Sequence, residues 1–141
     1  MKAERARLLR LQRLERVRAI AKQAAAQEAA AAEGTLAQLE ALAERTRLLA
    51  ADYEDRHAVK DGAALKQINS FAGGLRNIYT RTASDAAQAR RIADNKMAEL
   101  ATAERRRSIV EEHAIKKAKA IANRGETPSL SARKGFGTAL E

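Results

Sequence analysis

The feature that most constrains this chain is the absence of proline between Ala3 and Asn123. Proline interrupts helices because it lacks the amide proton and its ring clashes with the preceding turn. The only clear break in the helical pattern falls near the midpoint, at Lys60-Asp61-Gly62. A long proline-free stretch with one central break predicts an all-α fold, in which two long helices form an antiparallel coiled-coil hairpin.

The expected elements of this hairpin, residues 1–124, are a first helix at about residues 3–60, a turn at about 61–64 and a second helix at about 65–123. Gly125 is placed to cap the end of the second helix. The remaining residues, 125–141, contain the single proline, Pro128. We expect them to form a disordered tail.

Composition limits the kind of core that this chain can build. Alanine supplies 34 of the 64 hydrophobic residues, and aromatic residues make up only 3% of the chain. Alanine favours helix but buries little apolar area, so a narrow seam between two helices is expected in place of an enclosed globular core. The chain has no cysteine, which excludes disulfides and cysteine-ligated metals. No apolar run reaches the ~18 residues of a membrane-spanning helix, and a cytoplasmic location is expected.

Larger side chains repeat at alternating spacings of three and four, which is the heptad pattern of a coiled coil. The stripe predicted in the first helix is Leu39, Leu42, Thr46, Leu49 and Tyr53, and the stripe predicted in the second is Ile68, Phe71, Leu75, Ile78, Thr82, Asp85, Ala89 and Ile92. A turn near residue 62 places Tyr53 opposite Phe71. An earlier stripe is out of phase with these and comprises Leu11, Leu14, Val17, Ala21 and Ala24. We therefore expect a four-residue stutter between Ala31 and Thr35, with a break at Gly34 left open.

The net charge of +9 is unevenly distributed along the chain. Residues 1–33 and 104–124 are both strongly basic, whereas residues 34–62 carry more acidic than basic side chains. A hairpin brings the two basic segments together at its open end. Arg105-Arg106-Arg107 can be a solvated face, an acidic-protein contact or a phosphate contact, but no interleaved aromatic residues support nucleic-acid binding. The basic amphipathic stretch Leu8–Ile20 can lie on anionic lipid or pair with the second helix.

No pattern in the sequence indicates catalysis, a cofactor or a metal site. His57 lies beside carboxylates near the turn, and His113 follows two glutamates, but neither has a second histidine close by. There is no nucleophile–base pair and no phosphate-binding loop. The most distinctive apolar group is Phe71, Leu75 and Ile78, which is interpreted either as the best-packed part of the seam or as a surface presented to a partner.

The segment Lys66-Gln67-Ile68-Asn69-Ser70-Phe71-Ala72-Gly73-Gly74-Leu75-Arg76-Asn77-Ile78 resembles the start of the second helix in the flagellar export protein FliJ family. In that family a phenylalanine is followed four residues later by a leucine, and that leucine is followed three residues later by a small apolar residue. The charged segment Met97 through Ala120 also has a composition similar to that helix. The resemblance implies a bacterial, non-enzymatic stalk or adaptor that is similar to the central stalk of rotary ATPases. Its expected processes are flagellum biogenesis, type III protein export and chemotaxis.

The resemblance also implies partners and contact residues. The expected partners are the export ATPase hexamer, the cytoplasmic domain of the membrane export gate and export chaperones, which would hold the chain peripherally at the inner face of the cell membrane. The candidate gate contacts are Phe71, Leu75 and Ile78. The candidate residues facing the ATPase are Arg5, Arg7, Arg10, Arg13, Arg105, Arg106 and Arg107. The alternative is a generic coiled-coil scaffold or chaperone that binds acidic proteins.

Overall fold

The fold is a hairpin of two long helices. The computed structural model describes residues 1–56 and 62–137, with side chains described for all of these except 126–137. The helices are α1, Lys2–Glu54, and α2, Gly62–Gly137, and no strand occurs among the described residues. They pack antiparallel, because Glu4 pairs with Arg124 near one end and Glu54 pairs with Arg76 near the other. The predicted all-α hairpin is confirmed.

The connection between the helices differs from the predicted turn. α1 ends at Glu54, before the predicted end near residue 60, and α2 already begins at Gly62. At the end of α1 the amide of Asp55 still donates to the carbonyl of Ala51, whereas the amide of Arg56 donates to the nearer carbonyl of Tyr53. This tightening from a four-residue to a three-residue step is a common way for a helix to end. Residues 57–61, which include His57, lie outside the described residues.

The far end of α2 also differs from the prediction. The helix continues to Gly137, past the expected end near residue 123. Gly125 does not adopt the positive φ that a glycine cap requires, so helical geometry continues through it. The helix also includes Pro128, which removes one backbone hydrogen bond there. The backbone of residues 125–137, expected to be a disordered tail, is therefore helical.

The hairpin divides into two compact units, each built from stretches of both helices. We call Ala26–Glu99 the central unit, and we call Met1–Ala25 together with the part of α2 from Leu100 onward the terminal unit. In the central unit the buried residues are mostly alanines, with Ala93 fully buried and packed in one cluster with Leu36 and Ala89. The buried positions are Ala29, Leu36, Ala43, Thr46 and Ala50 in α1, and Ala72, Leu75, Thr82, Ala86, Ala89 and Ala93 in α2.

These small side chains form what we call the alanine seam. An alanine ends at Cβ, so helices that meet through alanines approach closely, and the size of the contacting side chains sets their separation. The buried hydroxyl of Thr46 donates to the carbonyl of Leu42 at 2.8 Å. The seam is therefore narrow and its buried threonine in α1 is satisfied within the same helix.

About half of the positions predicted to face inward in the heptad pattern do not lie in the alanine seam. Thr46, Leu75, Thr82 and Ala89 are buried as expected. Asp85 is exposed, and so are five large residues that were predicted to lie in the seam. These five are Leu42, Leu49, Phe71, Ile78 and Ile92. A pattern of alternating three- and four-residue steps fits both the predicted and the observed set of inward positions, because the two sets share every second position. The structure takes the assignment with smaller side chains, which allows the closer approach of the helices.

The predicted stutter is absent from the central unit. Inward positions Ala29, Ala32, Leu36 and Leu39 follow one another at steps of three, four and three, without an inserted turn. Gly34 lies on the exposed side of a continuous α1, so it does not break the helix. The out-of-phase apolar stripe that suggested the stutter is therefore not a seam in this structure.

The terminal unit has a different seam, in which charged side chains are mixed with apolar ones. Its half-buried α1 positions include Glu4, Leu8, Leu11, Glu15, Arg18, Lys22 and Ala25. Of the stripe predicted here, only Leu11 faces α2, whereas Leu14, Val17, Ala21 and Ala24 are exposed. None of the described residues of this unit is fully buried. Charged side chains thus occupy the heptad positions that aliphatic residues were expected to fill.

The alanine seam predicts an asymmetric response to larger side chains. Ala93→Leu should destabilise the hairpin by about 1–3 kcal/mol, because extra methyl and methylene groups have no space at a fully buried position. Ala87→Leu, at an exposed position of the same helix, should leave stability nearly unchanged. Urea unfolding followed by circular dichroism measures both effects. Equal stabilities of the two variants would show that residue 93 does not lie in the seam.

Candidate protein-binding surfaces

An aromatic contact fixes Phe71 against α1. The rings of Tyr53 and Phe71 meet edge to face, with centroids 4.8 Å apart and planes at 73°. This geometry is favourable because the positive ring edge meets the negative ring face. The guanidinium carbon of Arg56 lies 4.3 Å from the centre of the Tyr53 ring, and Arg56 also pairs with Asp52 at 3.2 Å. The predicted facing of Tyr53 and Phe71 is confirmed, and the Phe71 ring is held against α1 on one side.

The rest of Phe71 is open to solvent and lines an apolar groove. Phe71 is 52% exposed and Ile78 is 51% exposed, whereas Leu75 between them is buried. Gly74 lies three residues after Phe71 and four before Ile78, so all three share one face of α2. Since glycine has no side chain, it leaves a gap between the two large residues, and a Cβ placed there would meet no atom within 4 Å. We call this gap, lined by Gln67, Ser70, Phe71, Gly74, Leu75 and Ile78, the Phe71–Ile78 groove.

The three candidate gate contacts differ in their exposure to solvent. Phe71 and Ile78 are available at the surface, and Leu75 belongs mainly to the alanine seam. The contribution of Gly74 was not predicted from the sequence. The signal was present in the spacing, because a glycine three and four residues from two bulky apolar residues leaves a gap on one helix face.

The candidate basic contacts also divide into two groups. Arg107 is half-buried, and its guanidinium lies 3.8 Å from carboxylate oxygens of Glu15, Glu104 and Glu111. Its charge is therefore balanced within the hairpin. The other candidates are exposed and take part in no ion pair within the described part of the chain, and they are Arg5, Arg7, Arg10, Arg13, Arg105 and Arg106.

The seam of the terminal unit contains a chain of ion pairs. Glu104 of α2 pairs with Lys22 of α1, and Glu104 also lies 3.8 Å from Arg107. The hydrogen bond from Lys22 lowers the pKa of Glu104, and the nearby charges of Lys22 and Arg107 act in the same direction against partial desolvation. A hydrogen bond from Arg124 likewise lowers the pKa of Glu4. These carboxylates hold α1 and α2 together while they are ionised.

The lowered pKa of Glu104 predicts acid sensitivity. A carboxylate with a lower pKa in the folded state contributes stability above its ordinary pKa of 4.5 and loses that contribution as the pH falls below it. The unfolding temperature should therefore fall between about pH 6 and about pH 3, and Glu104→Gln should reduce this pH dependence. Glu112→Gln, at an exposed neighbouring position, is the control and should leave it unchanged. Identical pH profiles for wild type and Glu104→Gln would contradict the ion-pair seam.

The described residues contain no group of three or more histidine, aspartate or glutamate side chains arranged to hold a metal ion. His113 is exposed, and His57 lies outside the described residues. Within the described ranges, neither helix contains a stretch that is both long and apolar enough to cross a membrane.

Comparisons with models of known protein families, with curated proteins and with solved structures give no match to this chain.

Proposed function

We propose that this chain is a non-enzymatic stalk or adaptor of a bacterial flagellar type III export apparatus. In this role it couples the export ATPase hexamer to the cytoplasmic domain of the export gate and escorts export chaperones. The observation that carries the proposal is the exposed Phe71–Ile78 groove, since it lies within the segment that resembles FliJ. A groove of this kind is suited to a partner's aliphatic side chain, because it offers an aromatic wall, an aliphatic wall and a gap between them.

The exposed arginines support the second half of the proposal, the contact with the ATPase. Arg105 and Arg106 are exposed in the terminal unit and form no ion pair with any described side chain, unlike Arg107 beside them. Uncompensated arginines favour an acidic surface, and they form bidentate hydrogen bonds with carboxylates. The same observation favours the second candidate function, a coiled-coil scaffold or chaperone for other acidic proteins. ATPase binding distinguishes the two candidates.

The groove is tested by filling it without weakening the helix. Gly74→Leu should reduce binding to the cytoplasmic domain of the export gate by about tenfold or more, because the new side chain occupies the gap. Helicity should not fall, since leucine is a better helix former than glycine. Gly34→Leu is the matched control, because Gly34 is also exposed within a helix and a Cβ added to it would meet no atom within 4 Å. Calorimetry with the purified gate domain measures the affinities, and unchanged binding by Gly74→Leu would exclude the groove as the gate contact.

The ATPase contact is tested by charge reversal on α2. Arg105→Glu combined with Arg106→Glu should abolish most binding to the purified export ATPase, because two attractive contacts become repulsive. Arg81→Glu combined with Arg91→Glu makes the same change in net charge at exposed positions of the central unit and should retain binding. Pull-down and stimulation of ATP hydrolysis are the measurements. Absence of ATPase binding by the wild-type chain would overturn the stalk proposal.

A further inference from the structure

The outward side of α1 in the terminal unit carries aliphatic residues that α2 does not cover. Leu9 is 55% exposed, Val17 is 60% exposed and Ile20 is 68% exposed. At 100° per residue these three side chains lie within about 80° of one another around the helix. Exposed arginines lie between and beside them. We call this surface, formed by Leu9, Arg10, Arg13, Arg16, Val17 and Ile20, the α1 outer face.

The position of the acidic residues makes the α1 outer face purely apolar and basic. The only acidic residues before Ala25 are Glu4 and Glu15, and both are half-buried at the seam. Glu4 pairs with Arg124 of α2, and Glu15 lies 3.8 Å from Arg107. No carboxylate among the first 25 residues is therefore left to balance the exposed arginines. The heptad arrangement therefore places both acidic residues inward and leaves Leu9, Val17 and Ile20 outward.

This combination of charge and apolar surface restricts the occupant of the face. A second copy of the chain would bring two arginine-rich surfaces together, and their like charges would repel. Protein-binding hot spots are usually built around tryptophan or tyrosine anchors as well as arginine, and the outer face has no aromatic residue. A straight helix face with aliphatic side chains and flanking cations matches the requirements of an anionic lipid surface.

We propose that the α1 outer face binds the surface of an anionic lipid membrane. Leu9, Val17 and Ile20 enter the boundary between headgroups and acyl chains, and the arginines contact lipid phosphates from the same face. The long arginine side chains extend toward the headgroups while their methylene groups remain among the apolar residues. Arg10 and Arg13 are also candidate ATPase contacts, but lipid binding needs no export ATPase, so vesicle binding by the isolated chain tests this proposal separately from the function proposed above.

Vesicle co-sedimentation with the full chain tests the proposal. Vesicles of phosphatidylcholine with phosphatidylglycerol should bind the chain, and vesicles of phosphatidylcholine alone should not. Added salt should weaken the binding because it screens the arginine–phosphate attraction. Val17→Ser combined with Ile20→Ser should lower the vesicle-bound to free ratio by about tenfold, since less apolar surface is buried. Arg10→Gln, Arg13→Gln and Arg16→Gln together should lower it at least as much.

Two controls distinguish lipid binding by the α1 outer face from nonspecific adsorption of the protein to vesicles. Leu42→Ser combined with Leu48→Ser removes two exposed leucines from the central unit and should leave vesicle binding unchanged. Arg105→Glu combined with Arg106→Glu should weaken ATPase binding more than vesicle binding. Circular dichroism should show unchanged helicity in the outer-face variants, because those side chains do not pack against α2. The proposal would be overturned by equal binding to both vesicle types or by no binding to either. It would also be overturned if the leucine control lost as much vesicle binding as the outer-face variants, or if the chain bound an acidic protein but no vesicles.

Discussion

The close contact of two alanine-lined helix faces determines the rest of this structure. In the central unit Ala43, Ala50, Ala72, Ala86 and Ala93 occupy the inward positions, and each allows the partner backbone to come near. Larger side chains at the adjacent positions are consequently left outside. The exposure of Phe71 and Ile78 is a direct result, because the seam runs through Ala72 and Leu75 on the neighbouring side of α2. The Phe71–Ile78 groove therefore exists because the seam of the central unit is made of small residues.

The terminal unit shows what the same heptad spacing does where the inward residues are charged. Glu15, Arg18 and Lys22 occupy seam positions, and the Nε of Arg18 is buried without a hydrogen-bond partner in the described residues. A buried polar atom without a partner costs stability, and partly exposed ion pairs return little of it. No described residue of this unit is fully buried, so its apolar packing is weaker than that of the central unit. Its aliphatic residues, including Val17 and Ile20, remain available to a surface outside the chain.

The sequence was sufficient to predict the hairpin, because a proline-free, alanine-rich chain with one central break has few other folds. It also predicted the contact of Tyr53 with Phe71. It did not predict which half of the alternating positions faces inward, since steps of three and four fit both choices and bulky residues were preferred over alanine. For the same reason Leu42 and Ile92 were predicted to lie in the seam, and Leu14 and Val17 of α1 were predicted to face α2. The groove at Gly74 could not be predicted until the orientation of Phe71 and Ile78 was known.

Cysteine accessibility tests the alanine seam most directly, because the natural chain has no cysteine. Single cysteines at neighbouring positions, Leu42→Cys with Ala43→Cys and Ile92→Cys with Ala93→Cys, can be labelled with a maleimide in the folded protein. The seam described here predicts fast labelling at residues 42 and 92 and labelling at least about tenfold slower at residues 43 and 93, where burial protects the thiol. Faster labelling at residues 43 and 93 than at their neighbours would contradict the alanine seam and the surfaces that depend on it.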